Sequence, residues 1–599
     1  MRPIANLIAA AGLVTTILAV FLAAASPARA HAGMDVDPLA ADVRGTYRLV
    51  DSQILTLTGT AGMPSYEIDG RRVFLRSDGH DRFVAWREPD HVLEIVRNTD
   101  DSVTGLIVRQ PGGTVSGAKV DLYDEFDVEF TNRATTLAGS VLVPSGAGPH
   151  PAVVIVHGAE AATRESYRLM ASHFARRGVA ALVYDKRGVG ESGGSFRGAT
   201  FDDLVGDALA GVNLLRSLPT IDAGRVGMLG LSQGGWIIAL AAVESDDVAF
   251  LIPISASGFS PAVQDRWLNG NIVAHRELST SVNRASEQAW RMLLSTRDLV
   301  DAGLLAPMPD VPGFWFHALD PHIDAGLLWR AVRQPLLGIW GEFDCQVPAY
   351  DSLAAVRSAL DASGHGNYTL TILPRADHSI TLVEPCAQET SGWSVLTVDY
   401  PATYFGLLAG WIHDHRDAQW PVRRVIQPDT PTPSNLRWHQ APTAGVGLPG
   451  SFVPQMTVIV VLLVGFTLSA LAWPARRALA IVRRRPWRTS FAGPLAIIGL
   501  LATVAAIVSL GELLLLGSPE GSLLVGSQPI LGASPMFLFA SVLTTLSVLG
   551  GLAVAFRRYT GRAGGAGATL GEVTVLGFIG LLAAWATYWN FIPVRTLLG

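Results

Sequence analysis

"RVGMLGLSQGGWIIALAA" runs from Arg225 to Ala242, and the reading of Ser232 within it decides the fold. Val226, Met228, Leu229 and Leu231 give the first half the apolar character of a buried strand, whereas Gln233–Val243 has the Ala, Ile and Leu content of a buried helix. Gly230 and Gly234 flank the junction. Small residues there let the chain turn tightly enough to hold Ser232 in an unusual backbone conformation. Its hydroxyl is then exposed at the sheet edge, and the helix N-terminus points at any negative charge that develops beside it. The bland alternative is an ordinary serine in a glycine-rich turn, which requires no partners elsewhere.

Candidate partners follow in order. The strand Pro335–Trp340 runs into "GEFDCQVP", placing Asp344 at its carboxyl end, and Tyr368–Leu373 runs into "LPRADHSI", placing His378 correspondingly. A serine hydroxyl is a poor nucleophile until a base takes its proton. Histidine can do so near neutral pH, and a buried carboxylate fixes its tautomer and stabilises the imidazolium. Glu342 and Asp351 are alternative acids, and Asp377 abuts His378 but points elsewhere in an extended loop. His365, His413 and His415 lack a strand-end position and read as surface residues. An oxyanion needs two backbone N–H donors. Gln233 supplies one, and Ala159, after "VVIVHG", is expected to supply the other, with Glu160 a lesser candidate. The Glu160 carboxylate has two readings, a salt bridge to Arg164 or a seat for a substrate ammonium group.

Around this site, apolar strands alternate with helical stretches from Val128 to Arg416, as in a parallel sheet covered on both faces. Residues 259–334 interrupt the alternation with Trp267, Trp290, Trp315 and Trp329, and read as a helical cap insertion over a pocket. Residues 31–127 show short alternating strands between Gly, Asp and Asn, a small β domain with a packing or positioning role. A proline-bearing linker, 417–453, reads as an irregular tether.

Both ends of the chain are apolar. Arg2, the run Ile4–Ala25 and Ala28-Arg29-Ala30 read as a signal peptide, 1–30, cleaved after Ala30; an uncleaved anchor helix is the alternative. Four runs within 454–599, Pro454–Pro474, Phe491–Leu516, Pro535–Phe556 and Gly571–Ile592, each reach the ~20 residues that cross a hydrocarbon core. The first and third loops between them carry Arg476, Arg477, Arg483, Arg484, Arg485 and Arg488, then Arg557, Arg558 and Arg562. The second, Gly517–Ser534, has no Lys or Arg. The positive-inside rule therefore puts the Arg loops in the cytoplasm and the Ser232 domain outside, in agreement with the leader. That location explains hydrophobic residues at 49% and charged residues at 16% across 599 residues. The net charge of −6 and the lack of a long basic stretch point away from nucleic acid, and no metal or cofactor signature is evident.

With these residues in place, "YDKRGVGESGG", "GLSQGGW", "GEFDCQVP" and "ADHS" resemble the α/β-hydrolase superfamily. The likeness is to its exported bacterial esterase and acyl-hydrolase branch, which has serine aminopeptidase-like relatives. The resemblance covers about Glu129–His415. It implies an eight-stranded, mostly parallel sheet and acyl transfer to water through Ser232, Asp344 and His378, with Ala159 and Gln233 as the oxyanion hole. "DKRGVGESGG" (Asp185–Gly194) matches a loop that is structural in that family, while "HGAEAAT" lacks the further glycine often found after His-Gly. Cys345 and Cys386, the only cysteines, fall on the acid and base loops, so a disulfide holding those loops together is expected, with two buried thiols as the alternative.

Three functions follow. The first is a membrane-tethered extracytoplasmic hydrolase of small-molecule carboxylic esters. The second is a peptidase or amidase on the same triad. The third is a non-catalytic sensor or transporter whose membrane region does the work; the near absence of charge inside the helices argues instead for an anchor.

Overall fold

A computed structural model describes residues 39–264, 323–383, 397–414, 423–426, 452–483, 492–516, 535–560 and 570–589, except 61, 62 and 87, with isolated positions between 267 and 320. The leader 1–30, most of the insertion 259–334, and Cys386 lie outside the described residues. The chain divides into two compact units, one of Ala30–Trp267 with Ala318–His439, the other of Met1–Arg29, Leu268–His317 and Gln440–Gly599.

The small β domain is a closed barrel. Strands β1 (Gly45–Leu49), β2 (Ile54–Thr60), β3 (Met63–Ile68), β4 (Arg71–Ser77), β5 (Arg82–Ala85), β6 (Val92–Arg97), β7 (Val103–Gln110) and β8 (Gly113–Val120) pair antiparallel in succession, and β8 returns to β1. Period-two alternation sends Tyr47, Leu49, Leu55, Leu57, Leu75, Leu93 and Leu106 into one core cluster. The outer faces of β2 and β3 carry Thr56, Thr58, Ser65 and Glu67, which are buried too, because the helix α1 (Arg168–Ala175) and the turn before it lie against this side. Polar contacts cross that seam: Glu67 lies 3.2 Å from the His173 ring nitrogen Nε2 and forms an ion pair with Arg176 (3.5 Å), and Arg44 pairs with Glu165 (3.1 Å).

The second sheet holds the site. Its order is β18-β16-β15-β14-β13-β11-β12-β10-β9. The members are β9 (Tyr123–Asn132), β10 (Thr135–Pro144), β11 (His150–Val156), β12 (Ala180–Tyr184), β13 (Ile221–Leu231), β14 (Leu251–Ile254), β15 (Leu336–Gly341), β16 (Tyr368–Leu373) and β18 (Arg423–Ile426). β10 pairs antiparallel with both β9 and β12, and every other pair in the sheet is parallel. Strands β11, β12, β14, β15 and β16 are buried along nearly their whole length and β13 from Val226 to Gly230, as expected of a sheet covered on both faces.

Three boundaries differ from the sequence reading. β9 begins at Tyr123 rather than near 128; it is an edge strand, largely exposed, so it lacks an apolar run. β18 lies inside the stretch read as linker and adds a ninth strand to the expected eight. A three-residue strand, β17 (Thr397–Asp399), leaves this domain and pairs with Arg71–Val73 of barrel strand β4.

In the other unit, helices span Phe452–Val482, Ala492–Leu516, Pro535–Tyr559 and Leu570–Tyr588. Pro454–Leu479 and Ala540–Arg557 are long and apolar enough to cross a membrane, while Gly493–Ser509 and Glu572–Ala586 are shorter apolar stretches. Trp585 and Trp589 each donate an indole N–H to the buried Gln455 Oε1, at 2.8 and 2.9 Å, joining the last helix to the first.

Candidate active site

Beyond the helix α2 (Phe201–Ser217), Ser232 occupies the junction of β13 and the helix α3 (Gln233–Glu244) with φ 54° and ψ −116°. A non-glycine residue held there costs about 1–3 kcal/mol, so its surroundings must enforce the turn. They do: a Cβ on Gly230 would lie 2.3 Å from the Gly234 carbonyl oxygen, and one on Gly234 would lie 2.7 Å from that of Val156. The Ser232 amide donates to Ile254 O at 2.8 Å, and its hydroxyl does not cap the helix.

Two strands further along, Asp344 is fully buried. Its Oδ1 accepts from the backbone amides of Gln346 and Val347, both at 2.8 Å. Its Oδ2 accepts from His378 Nδ1 at 2.8 Å. A carboxylate with those partners can only accept, which assigns the His378 proton to Nδ1. Ser255 Oγ donates to the His378 carbonyl at 2.8 Å and secures the loop from below.

The competing acids have other duties. Glu342 Oε2 accepts from the Arg375 amide at 2.9 Å, fixing the start of the histidine loop. Asp377 accepts from the amides of Ser379 and Thr381 and from the Thr381 hydroxyl, and burial pushes its carboxyl up. Asp351 lies in the first turn of the helix Ala349–Ala362. Of the other histidines, His365 is buried rather than on the surface, bonded through Nε2 to Gln334 O at 3.0 Å. His413 is half-buried and bonded to Arg177 O, and His415 lies outside the described residues.

The loop after β11 faces the start of α3. Among the described residues, neither the Ala159 nor the Gln233 amide is paired within the chain; Gln233 opens its helix, where amides have no intrahelical acceptor. Behind them sits a polar cluster. Burial drives His157 down to about 4, keeping it neutral, and its Nε2 bonds to Tyr184 O at 2.6 Å. Tyr167 accepts from the Gly158 amide at 3.2 Å and donates to Glu160 Oε1. Burial works to raise the Glu160 carboxyl, but the Tyr167 hydroxyl and the Lys186 ammonium outweigh it and hold the group below its usual range.

The expected Glu160–Arg164 salt bridge is not formed. Arg164 turns instead to Asp185 (3.0 Å), Glu191 (2.5 Å) and Asp127 (3.3 Å), because the buried Asp185 carboxylate also accepts the Arg164 amide and is its bidentate partner. Cys345 Sγ lies 3.4 Å from Phe343 O, and the expected bond to Cys386 falls outside the described residues.

Sequence reasoning passed over Lys186. It is 3% exposed, and its Nζ donates to Gly158 O (2.6 Å), Glu160 O (3.3 Å) and Gln233 Oε1 (3.2 Å). The available signal was a lysine two residues after the buried strand "AALVY", where a charge must enter the interior.

The family model described as X-Pro dipeptidyl-peptidase (S15 family) matches residues 134–302. Esterase FrsA of Escherichia fergusonii is 31% identical over 202 residues, which is 31% of this chain and 47% of the relative. Esterase FrsA of Escherichia coli K12 (strain DH10B) has the same identity and coverage. The chain thus spans about half the length of these curated relatives. Among solved structures, the Pyrococcus furiosus esterase PF2001 is similar at 18% identity and TM-score 0.33, covering 48% of this chain and 92% of that one. Est1E from Butyrivibrio proteoclasticus, solved with ferulic acid, is similar at 19% and 0.32, covering 48% and 96%. With the 1-2-4-3-5-6-7-8 order of β9 to β16 and the serine turn after the fifth of them, Tyr123–Ile426 has the α/β-hydrolase fold.

Proposed function

We propose that this chain is a membrane-anchored, extracytoplasmic serine hydrolase that cleaves carboxylic esters. The observation that carries the reading is the conjunction of a strained Ser232 with a 2.8 Å His378–Asp344 bond on neighbouring strand ends. In this reading His378 Nε2 takes the Ser232 proton as Oγ attacks the ester carbonyl. The amides of Ala159 and Gln233 receive the oxyanion, and the imidazolium, steadied by Asp344, returns the proton to the departing alkoxide. Water, activated by the same histidine, then releases the acid from the acyl-enzyme. A fluorophosphonate probe is expected to label the full-length protein, and labelling is lost in Ser232→Ala; labelling that persists in the variant refutes the nucleophile.

Two observations favour an aminopeptidase-like amidase as the second reading: the S15 model match, and a Glu160 carboxylate not taken up by Arg164. Relative kcat/KM on p-nitrophenyl esters and on aminoacyl anilides separates the two.

The anchor is proposed from the four apolar runs, their Arg-rich loops and the apolar leader. Protease added to intact cells is expected to cleave before Pro454 while leaving a tag in the Arg483–Arg488 loop protected. The reverse pattern overturns the orientation.

A further inference from the structure

We infer that Lys186 is a positioning residue for the oxyanion hole: its ammonium group holds the peptide whose N–H is donated by Ala159 and, through Gln233 Oε1, ties that peptide to the residue supplying the second N–H. The inference rests on the hydrolase reading above and adds to it a residue that the triad logic does not use.

The geometry of the peptide unit makes the case. In a trans peptide the carbonyl and the amide N–H point in opposite directions within one plane. The Gly158 carbonyl and the Ala159 N–H belong to the same unit, so a donor that grips Gly158 O on one side aims Ala159 N–H at the other. Lys186 Nζ makes that contact at 2.6 Å, the shortest of its three. A second contact at 3.3 Å holds the next carbonyl but one, Glu160 O, so the loop is pinned at two points across Ala159. The third, at 3.2 Å, reaches Gln233 Oε1 on the far side of the turn. An ammonium has three N–H donors, and all three are spent on the two segments that must converge on an oxyanion.

This arrangement supplies what the sequence lacks. "HGAEAAT" has no further glycine with which the loop could be shaped by backbone freedom, and a buried cation shapes it by hydrogen bonding instead. The lysine is itself fixed. Its stem leaves the chain just after β12, its amide donates to Ala162 O at 3.1 Å, and its ammonium lies 5.1 Å from the Phe196 ring centre. The charged and titratable groups that face it are the Glu160 carboxylate and His157, which burial keeps neutral.

The test uses the full-length protein in detergent, with a p-nitrophenyl ester and an aryl boronic acid as transition-state analogue. In Lys186→Met, kcat is expected to fall about 10²-fold, the scale of one misplaced or lost oxyanion donor. KM is expected to stay within about threefold, since ground-state binding does not need that donor. Boronate affinity is expected to fall in parallel with kcat. A folded Lys186→Met enzyme with kcat within threefold of wild type overturns the inference.

If that variant does not fold, Gln233→Met decides. It removes one of the three acceptors and keeps the Gln233 amide, so kcat is expected to fall about threefold to tenfold; unchanged kcat refutes the tie. The alkaline limb gives an independent readout. Burial lowers Lys186 to about 8, so wild-type kcat is expected to fall as pH rises through that value and the third donor is lost. A flat profile to pH 9.5 counts against it. If the wild type shows no Ser232-dependent ester hydrolysis, the hydrolase reading falls and this inference with it. An active wild type with an undiminished Lys186→Met variant strikes the lysine alone.

Discussion

Asp344→Asn is the perturbation whose outcome the site geometry defines most closely. Asparagine retains Oδ1, and with it the two 2.8 Å bonds from the Gln346 and Val347 amides, so the side chain keeps its orientation. Its other arm is now an NH2, set 2.8 Å from a ring nitrogen that carries a proton. Two donors cannot face each other at that distance, so the imidazole moves its proton to Nε2, the atom that must accept from Ser232. Only the minor tautomer remains competent, and kcat is expected to fall about 10⁴-fold, roughly 5 kcal/mol of transition-state stabilisation. The fold is expected to survive, since both backbone bonds remain and a buried charge has been removed. The assay is initial-rate hydrolysis of a p-nitrophenyl ester from pH 6 to 9, normalised to fluorophosphonate-titratable sites, with thermal unfolding as a control. Glu342→Gln and Asp351→Asn are the comparison variants. If Asp344→Asn keeps kcat within tenfold of wild type while either comparison variant collapses, the acid has been misassigned.

Three further outcomes follow from the same packing and charge pairing. Gly230→Ala places a methyl 2.3 Å from a backbone oxygen in the neighbouring helix turn, so it is expected to cost about 3 kcal/mol or more and to lower Tm sharply; an unchanged Tm contradicts the packing at the turn. Arg187→Met leaves the buried Asp207 carboxylate without the guanidinium that is bonded to both its oxygens, at an expected cost of about 3–5 kcal/mol. The double variant Arg187→Met/Asp207→Leu should recover part of that in urea unfolding. The third outcome concerns pH. Burial holds His173 at about 4, below its ordinary 6.5, so the unfolded chain binds the extra proton first as pH falls. Its contribution is therefore complete above about 6.5 and is lost progressively between 6.5 and 4, up to ~3 kcal/mol. Urea midpoints across that window should fall less steeply in His173→Gln, and identical slopes would refute the assignment.

The site was legible because its members stand at the ends of buried strands. A run such as "RVGMLGL" declares its own burial, and the next residues must then lie at the sheet edge. Ser232, Asp344 and His378 each follow such a run, and the Asp344–His378 contact joins two of these edges. Elements whose sequences carry no such declaration were missed. β9 is exposed along much of its length, and β17 and β18 have three and four residues. Closure of the barrel depends on β1 meeting β8, a pairing across some 70 residues that alternation within a strand cannot reveal. Lys186 escapes a sequence reading, and Arg164 takes a partner other than Glu160, for a related reason: which acceptor a buried cation reaches depends on three-dimensional neighbours, here Gly158 for the lysine and Asp185 for the arginine.

The three-residue strand β17 limits how this protein can be taken apart. Having left the histidine loop, the chain lies along barrel strand β4, where the Tyr400 amide donates to Gly70 O at 2.8 Å, while Asp399 O accepts from Leu382, four residues after His378. One short segment is thus stitched to the barrel on one side and to the base-bearing loop on the other. A truncation that begins at Tyr123, the natural cut for anyone seeking the hydrolase alone, removes one of those two anchorages and leaves the return path of the loop unsupported. The barrel and the hydrolase are consecutive in sequence but are not separable parts, and a minimal expressible enzyme has to begin before Gly45.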